Sequence, residues 1–379
     1  MEIKHTAALQ RIRHACTLGL PSRSIIPLVM REIKALIPSA CVQFTWSSKE
    51  GRLANFWSDT FLPRRTAWII LHRSRYEADV GMNFRDLVMF GKLTGNARLW
   101  WASGFEQSTT YKAVFEPYGY KWFLDGVVRD AQRPYGCVAL LRRCEDPDFT
   151  AAEEDLLARV LPYLVHAIRG DAGKPTLFTP AGHSAMLVCS AEGEVLEWSD
   201  RAHRLAAYAM LEEINCDERI GRGDFERLRA GLVDVVLELA RQLDAVDGEC
   251  ALPQVVRRNG WGEFVFRGYR LSSQFGRGME RIGVLIEQLV PMEVQLLDRV
   301  NRLDLSPRQK EIAMHCTRGL SNSEIASRLG MSPHTLKDHF KAIYQRLSIN
   351  SQRELIAVIE PYPLAYPPPQ GDVPLRLLA

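Results

Sequence analysis

The sequence predicts a multidomain chain, with two α+β units followed by an all-α unit of four short helices. Its 379 residues are enough for two or three domains at roughly 100–200 residues each. Strand-like and helix-like hydrophobic periods fall into two blocks, separated by a stretch rich in glycine and proline. Beyond residue 304 the pattern changes, and helix caps follow one another at short intervals.

The first unit spans residues 1–169. Residues 5–18 and 22–36 have helical spacing, the second opening after Pro21-Ser22. ACVQFTW (40–46) and GRLANFW (51–57) are strand runs joined by a polar turn. The middle, 60–134, is rich in Arg, Gly and aromatics and has no clear period. YGCVALL (135–141) is a buried strand, and FTAAEEDLLARVLPYLVHAIR (149–169) is an amphipathic helix that Thr150 and Glu153 cap as a box. A soft stretch, 170–183, reads as a linker. The second unit, 183–290, opens with the strand SAMLVCS (184–190) and VLEWSD. Helical material follows at 201–211 and 224–243, then two late strands at 263–272 and 281–289. Residues 291–304 form a connector with some helical period, 305–360 the third unit, and 361–379 a tail with six prolines that cannot continue a helix.

A hydrophobic content of 46% and charged content of 25% describe a folded chain rather than a disordered one. The net charge of +3 neither announces nor excludes a nucleic-acid partner, because a basic face can hide in a neutral average. The eight cysteines form no C-x-x-C pair and read as reduced thiols. No signal-peptide pattern opens the sequence and no apolar run reaches 18 residues, so a cytoplasmic protein without a membrane segment is expected.

The third unit is read from its caps. Ser306-Pro307-Arg308-Gln309 sets Ser at the N-cap, Pro at the first helical position and Gln at the third. That helix ends near Gly319. Ser321 to Glu324 is a second box, opening a helix that stops at Gly330. Ser332-Pro333 opens a third running to about Leu347, and a fourth begins around Asn350 or Ser351. Leu336, Phe340, Ile343 and Leu347 make one apolar stripe on the third helix, and Ile325 and Leu329 supply partners from the second. The second and third helices thus form a helix-turn-helix pair with these six residues as its core. The opposite face of the third helix carries Lys337, Asp338 and Lys341. One α-helix fits the major groove of B-DNA, where lysine donates to guanine O6 and N7 and a carboxylate accepts from cytosine N4. Ser332, His334 and Thr335 at the helix start suit a phosphate, as does Ser321 at the preceding one. Arg308, Lys310, Arg318 and Arg346 are further candidates for the DNA backbone. Residues 303–360 hold eight Lys and Arg against six Asp and Glu, so one copy is expected to bind weakly and with strong salt dependence.

The stretch 305–356 resembles the C-terminal DNA-binding domain of the LuxR-type transcriptional regulators. Glu311, Gly319, Leu320, Ser321, Glu324, Ile325, Ala326, Leu329, Ser332, Thr335, Lys337, His339 and Leu347 stand where that family's recurrent residues stand. The resemblance implies that the helix from about 333 to 347 is the recognition helix, with Lys337, Asp338 and Lys341 facing the groove. Asp338 departs from the pattern, since an apolar or neutral residue is more usual there. Ser323 stands where Lys or Gln is frequent, which removes one backbone contact. Residues 1–169 resemble a GAF-type sensory domain and 183–290 a divergent PAS-type domain.

No phosphate loop, receiver-type acidic cluster, G-x-S-x-G or H-E-x-x-H occurs, and no set of nucleophile, base or metal ligands converges. No enzyme activity, cofactor or metal is expected. Trp57, Trp68, Trp100, Trp101 and Trp122 could line a pocket for an apolar effector, with Arg64, Arg65 or Arg85 as counter-charges; they could equally fill a core. The sequence therefore points to a homodimeric regulator of double-stranded DNA, controlled through its N-terminal region by a small molecule of unknown identity or a partner. The competing reading is a protein-binding sensor without DNA contact.

Overall fold

In the computed structural model, residues 2–60, 84–96, 104–109, 111–170, 177–199, 201–211, 221–245, 253–271 and 281–360 are described. They divide into two compact units, Met1–Val294 and Gln295–Ala379.

The first unit opens with α1 (Glu2–Cys16) and α2 (Ser22–Leu36), then β1 (Cys41–Ser47) and β2 (Leu53–Ser58). After α3 (Phe84–Phe90) and the short β3 (Thr94–Asn96) come β4 (Tyr120–Arg129), β5 (Pro134–Arg143) and α4 (Ala151–Arg169). The five strands form one antiparallel sheet in the order β2-β1-β5-β4-β3. Thr150 caps α4 as its sequence requires: its hydroxyl accepts from Glu153 N at 3.3 Å while the Glu153 carboxylate accepts from Thr150 N at 2.9 Å. β4 lies in the part without a legible period. Gly126 interrupts its apolar run, because a Cβ there would come within 2.8 Å of Leu161 and 2.9 Å of Leu157 on α4. The helix packs against bare backbone at that point.

A second antiparallel sheet follows, β7-β6-β10-β9-β8, from β6 (Phe178–Ser190), β7 (Val195–Trp198), β8 (Gln254–Asn259), β9 (Gly262–Leu271) and β10 (Arg281–Pro291). Between β7 and β8 run α5 (Ala202–Met210) and α6 (Gly221–Ala245). Counted within each half, both sheets have the same strand order, second-first-fifth-fourth-third. Two sequence expectations are corrected here. Residues 178–183 belong to β6 rather than a linker: Thr179 and Pro180 pair with Val290 and Leu289, and the register shifts at Gln288/Leu289. The proline and glycine mark this irregularity, with Gly182 at φ 72°. There are also three late strands, not two. β8 escapes the sequence pattern because QVVRRN is a charged sheet edge with little alternation.

The two halves of this unit meet at the β8–β9 turn. Trp261, 2% exposed, stands edge-on to Trp46 with ring centres 5.4 Å apart and stacks on Tyr208 at 4.3 Å. Ser24 Oγ donates to Gly260 O at 2.9 Å.

The other unit contains most of α7 (Met292–Arg302), so the expected connector is helical. α8 (Pro307–Thr317), α9 (Asn322–Arg328), α10 (Pro333–Leu347) and α11 (Gln352–Ile359) follow. Residues 361–379, the proline-rich tail, lie outside the described residues. Among the described residues no helix is long and apolar enough to cross a membrane.

Candidate nucleic-acid interface

Each helix of the C-terminal bundle from α8 onward starts on a side-chain cap. Ser306 accepts from Gln309 N at 3.3 Å and its own N–H donates to Gln309 Oε1 at 2.8 Å. Ser321 and Glu324 repeat the box, with Ser321 N donating to the carboxylate at 2.8 Å. Hydrogen bonds from the Ser321 hydroxyl and backbone hold the Glu324 carboxyl below its ordinary range. Ser332 Oγ accepts from Thr335 N at 3.1 Å to open α10. Gly319 and Gly330, at φ 70° and 60°, provide the left-handed turns that end α8 and α9.

These turns set α9 against α10. Ile325, Leu336, Phe340 and Ile343 are buried. At the ends of their helices Leu329 and Leu347 are half-buried. Burial also pushes the Cys316 thiol up to about 12, which keeps it protonated in the core of the bundle.

With one stripe of α10 inside, the opposite one faces solvent. His334, Lys337, Asp338 and Lys341 are all exposed, and their spacings of three and four residues align them along the helix. Lys337 and Lys341 make no hydrogen bond or ion pair among the described residues. Asp338 Oδ2 lies 3.3 Å from His334 Nδ1, with the two side chains 66% and 87% exposed. Sequence reasoning places these two separately, one toward bases and one toward phosphate; their (i, i+4) spacing is the available sign that they pair.

The other expected DNA-backbone residues separate into two groups. Ser321, Ser332 and Thr335 are exposed caps, and Arg318 and Arg346 are exposed as well. Arg308 and Lys310, both half-buried, have partners within the bundle. Arg308 binds Glu311 at 2.5 Å and donates to the Leu329 carbonyl at the end of α9, while Lys310 Nζ donates to Asn301 O on α7 at 2.7 Å. These two hold helix ends in place.

The tryptophans of the first unit are not gathered. Trp57 pairs across the sheet with Phe44, on the face opposite Cys41, whereas Trp122 packs against the buried cluster that includes Cys41 and Phe123. Trp68, Trp100 and Trp101, with Arg64 and Arg65, lie outside the described residues; Arg85 Nε donates to Glu50 O at 3.1 Å. That cluster covers a row of register-matched side chains, Asp125, Ala139, Gln43 and Ser58, in which the three polar members are at most 7% exposed.

Residues 303–359 match the family model GerE, described as bacterial regulatory proteins, luxR family. The C-terminal domain is a luxR-family domain. The matched domain supports a DNA-binding transcription regulator, and α8 to α11 all lie within the matched residues. No curated protein matches the chain. Similar solved structures include a phage VqmA–DPO complex, at 17% identity over 46% of this chain and 81% of that one, with a TM-score of 0.19. The sensor region of a sensor histidine kinase follows, at 16% identity over 44% and 63%, with a TM-score of 0.17. The ligand-binding domain of the Pseudomonas aeruginosa PAO1 amino-acid chemoreceptor PctC in complex with GABA has 12% identity over 75% and 96%, with a TM-score of 0.16. At such scores none of the three bears on the architecture or ligand of this chain.

Proposed function

We propose that this chain is a sequence-specific, homodimeric transcription regulator whose helix α10 enters the major groove and whose residues 1–290 take the controlling input. The observation that carries the DNA-reading half is the placement of Lys337 and Lys341, unpartnered among the described residues and exposed on the side of α10 opposite its buried stripe. Nothing described inside the bundle competes for them, so both can donate to base edges or phosphates. Ser332 and Thr335 at the start of α10, with Arg318 and Arg346, are the backbone contacts of this reading. Two copies are needed because one small module buries too little surface for tight binding, and a two-fold protein reads paired half-sites. Mobility shift on DNA upstream of the chain's own gene tests it, with the double variant Lys337→Ala/Lys341→Ala as control. Loss of the shift supports the assignment, and an unchanged shift contradicts it.

For the input we read the first sheet with its helices as a GAF-like domain and the second as PAS-like, both acting in the cytoplasm. The polar row Asp125–Gln43–Ser58 beneath an aromatic cluster supports a small effector with a donor group and an apolar body. Gln43 and Ser58 are held by Cys41 Sγ at 3.7 and 3.4 Å, so the row offers a ligand an ordered polar wall. The input must favour one of two arrangements of the dimer to have any effect. Native mass spectrometry of the full chain from its host, compared with Asp125→Asn, tests the effector. A bound small molecule that disappears in the variant supports the reading, and an identical ligand state in both cases contradicts it.

A further inference from the structure

The carboxylate on the DNA-reading face of α10 needs an explanation that two lysines do not. A negative group carried into the groove meets the repulsion of two phosphate backbones, and it lowers affinity unless a donor on the DNA matches it. In the major groove only cytosine N4 and adenine N6 supply amino donors. Beside cytosine N4 lies O6 of the paired guanine, and guanine adds N7, which gives a neighbouring cation two acceptors. Asp338 has such a cation: Lys341 is three residues on, along the same exposed stripe. His334 Nδ1 sits 3.3 Å from Asp338 Oδ2, one turn back on the same exposed stripe. An imidazole at that distance turns Oδ2 toward itself and leaves Oδ1 for the groove.

We infer that Asp338 and Lys341 together read a C·G base pair, with Asp338 accepting from cytosine N4 and Lys341 donating to the paired guanine, while His334 is a positioning residue for Asp338. This rests on the DNA-binding reading above and names the base that the site selects. The acidic residue thereby becomes a discriminator, costing affinity at every half-site that offers it no amino donor.

The test uses the full chain. A randomised duplex library is selected and sequenced with wild type, Asp338→Asn, Lys341→Ala and His334→Ala, and anisotropy then compares the selected site with one in which the C·G pair is T·A. Wild type is expected to prefer the C·G site about tenfold, within the discrimination that one good base pairing supplies. Asp338→Asn should flatten that preference and bind the T·A site better than wild type does, giving a crossover. His334→Ala should narrow the ratio without abolishing binding, and His334→Gln should restore part of it. All three residues are exposed, and unchanged circular dichroism would show that the helix is intact. Equal selection profiles for wild type and Asp338→Asn would overturn the inference while leaving DNA binding standing, as would uniform weakening at all sites. If wild type selects no sequence and Lys341→Ala leaves affinity unchanged, the DNA-binding reading fails first and this inference with it.

Discussion

In residues 1–294 several basic side chains close to the sheets are tied to partners, whereas α10 in the C-terminal unit holds Lys337 and Lys341 out in solvent. Arg142 shows the first condition. Only 7% exposed, it donates to Pro38 O at 2.9 Å and to Glu153 at 2.5 Å, and lies over the Phe149 ring at 4.1 Å. Lys34 pairs with Asp59 at 2.5 Å and Arg267 with Glu287 at 2.6 Å. Even in the small bundle, Arg308 and Lys310 are used to hold helix ends. The cations left over are therefore informative by contrast: a charge that stabilises nothing internally is available for a ligand. The same net charge of +3 conceals both uses.

Substitutions separate the two conditions. The largest effect is expected from Trp261→Ala at the junction of the two sheets, a destabilisation of about 3–5 kcal/mol in the unfolding of residues 1–294 by denaturant, with the C-terminal transition unmoved. Replacing Lys337 and Lys341 by Ala should do the reverse, leaving both transitions in place and lowering DNA affinity by about 1–3 kcal/mol for each base that is no longer read. The Ser321→Ala cap variant should cost the bundle about 1 kcal/mol by calorimetry. A gain of similar or smaller size, about 1 kcal/mol or less, is expected for Ser348→Gly, because Ser348 ends α10 at φ 55°.

Acid sharpens the same contrast. Burial pushes the Glu153 carboxyl up, but hydrogen bonds from Arg142 and the Thr150 cap outweigh it and leave the group below its ordinary value. A depressed carboxylate adds stability above its unfolded pKa of about 4.3 and loses that contribution as pH falls through the folded value. Wild type should therefore exceed Glu153→Gln in stability at pH 7, and the gap should close below about pH 4 in denaturant titrations.

What could be read in advance follows from how local the determinants are. The C-terminal helices are legible because Ser306, Ser321 and Ser332 reach only three residues along the chain for their partners. The exposed Lys337, Asp338 and Lys341 come with them, once the buried stripe fixes which side of α10 faces solvent. β4, β8 and the start of β6 are not legible, because their reasons lie far off in sequence. Gly126 answers to Leu157 and Leu161, Pro180 to Leu289, and the polar residue Asp125 to a row that only strand pairing assembles. For the same reason composition cannot tell that Trp57 pairs with Phe44 while Trp122 packs against the cluster of Cys41 and Phe123. Arg308 and Lys310 look like their exposed counterparts, and only their carbonyl partners on α9 and α7 distinguish them.

The salt dependence of DNA affinity tests the central claim most directly, measured by anisotropy on a selected duplex for wild type and for Lys337→Ala/Lys341→Ala. Wild type should give a steep negative slope of log affinity against log salt. Removing both lysines should weaken binding to that duplex and bring it close to the affinity for random duplex, with the slope shallower by about 0.9 for each phosphate that is no longer neutralised. Identical affinity, slope and preference in the double variant would contradict the assignment of α10 as the DNA-reading element.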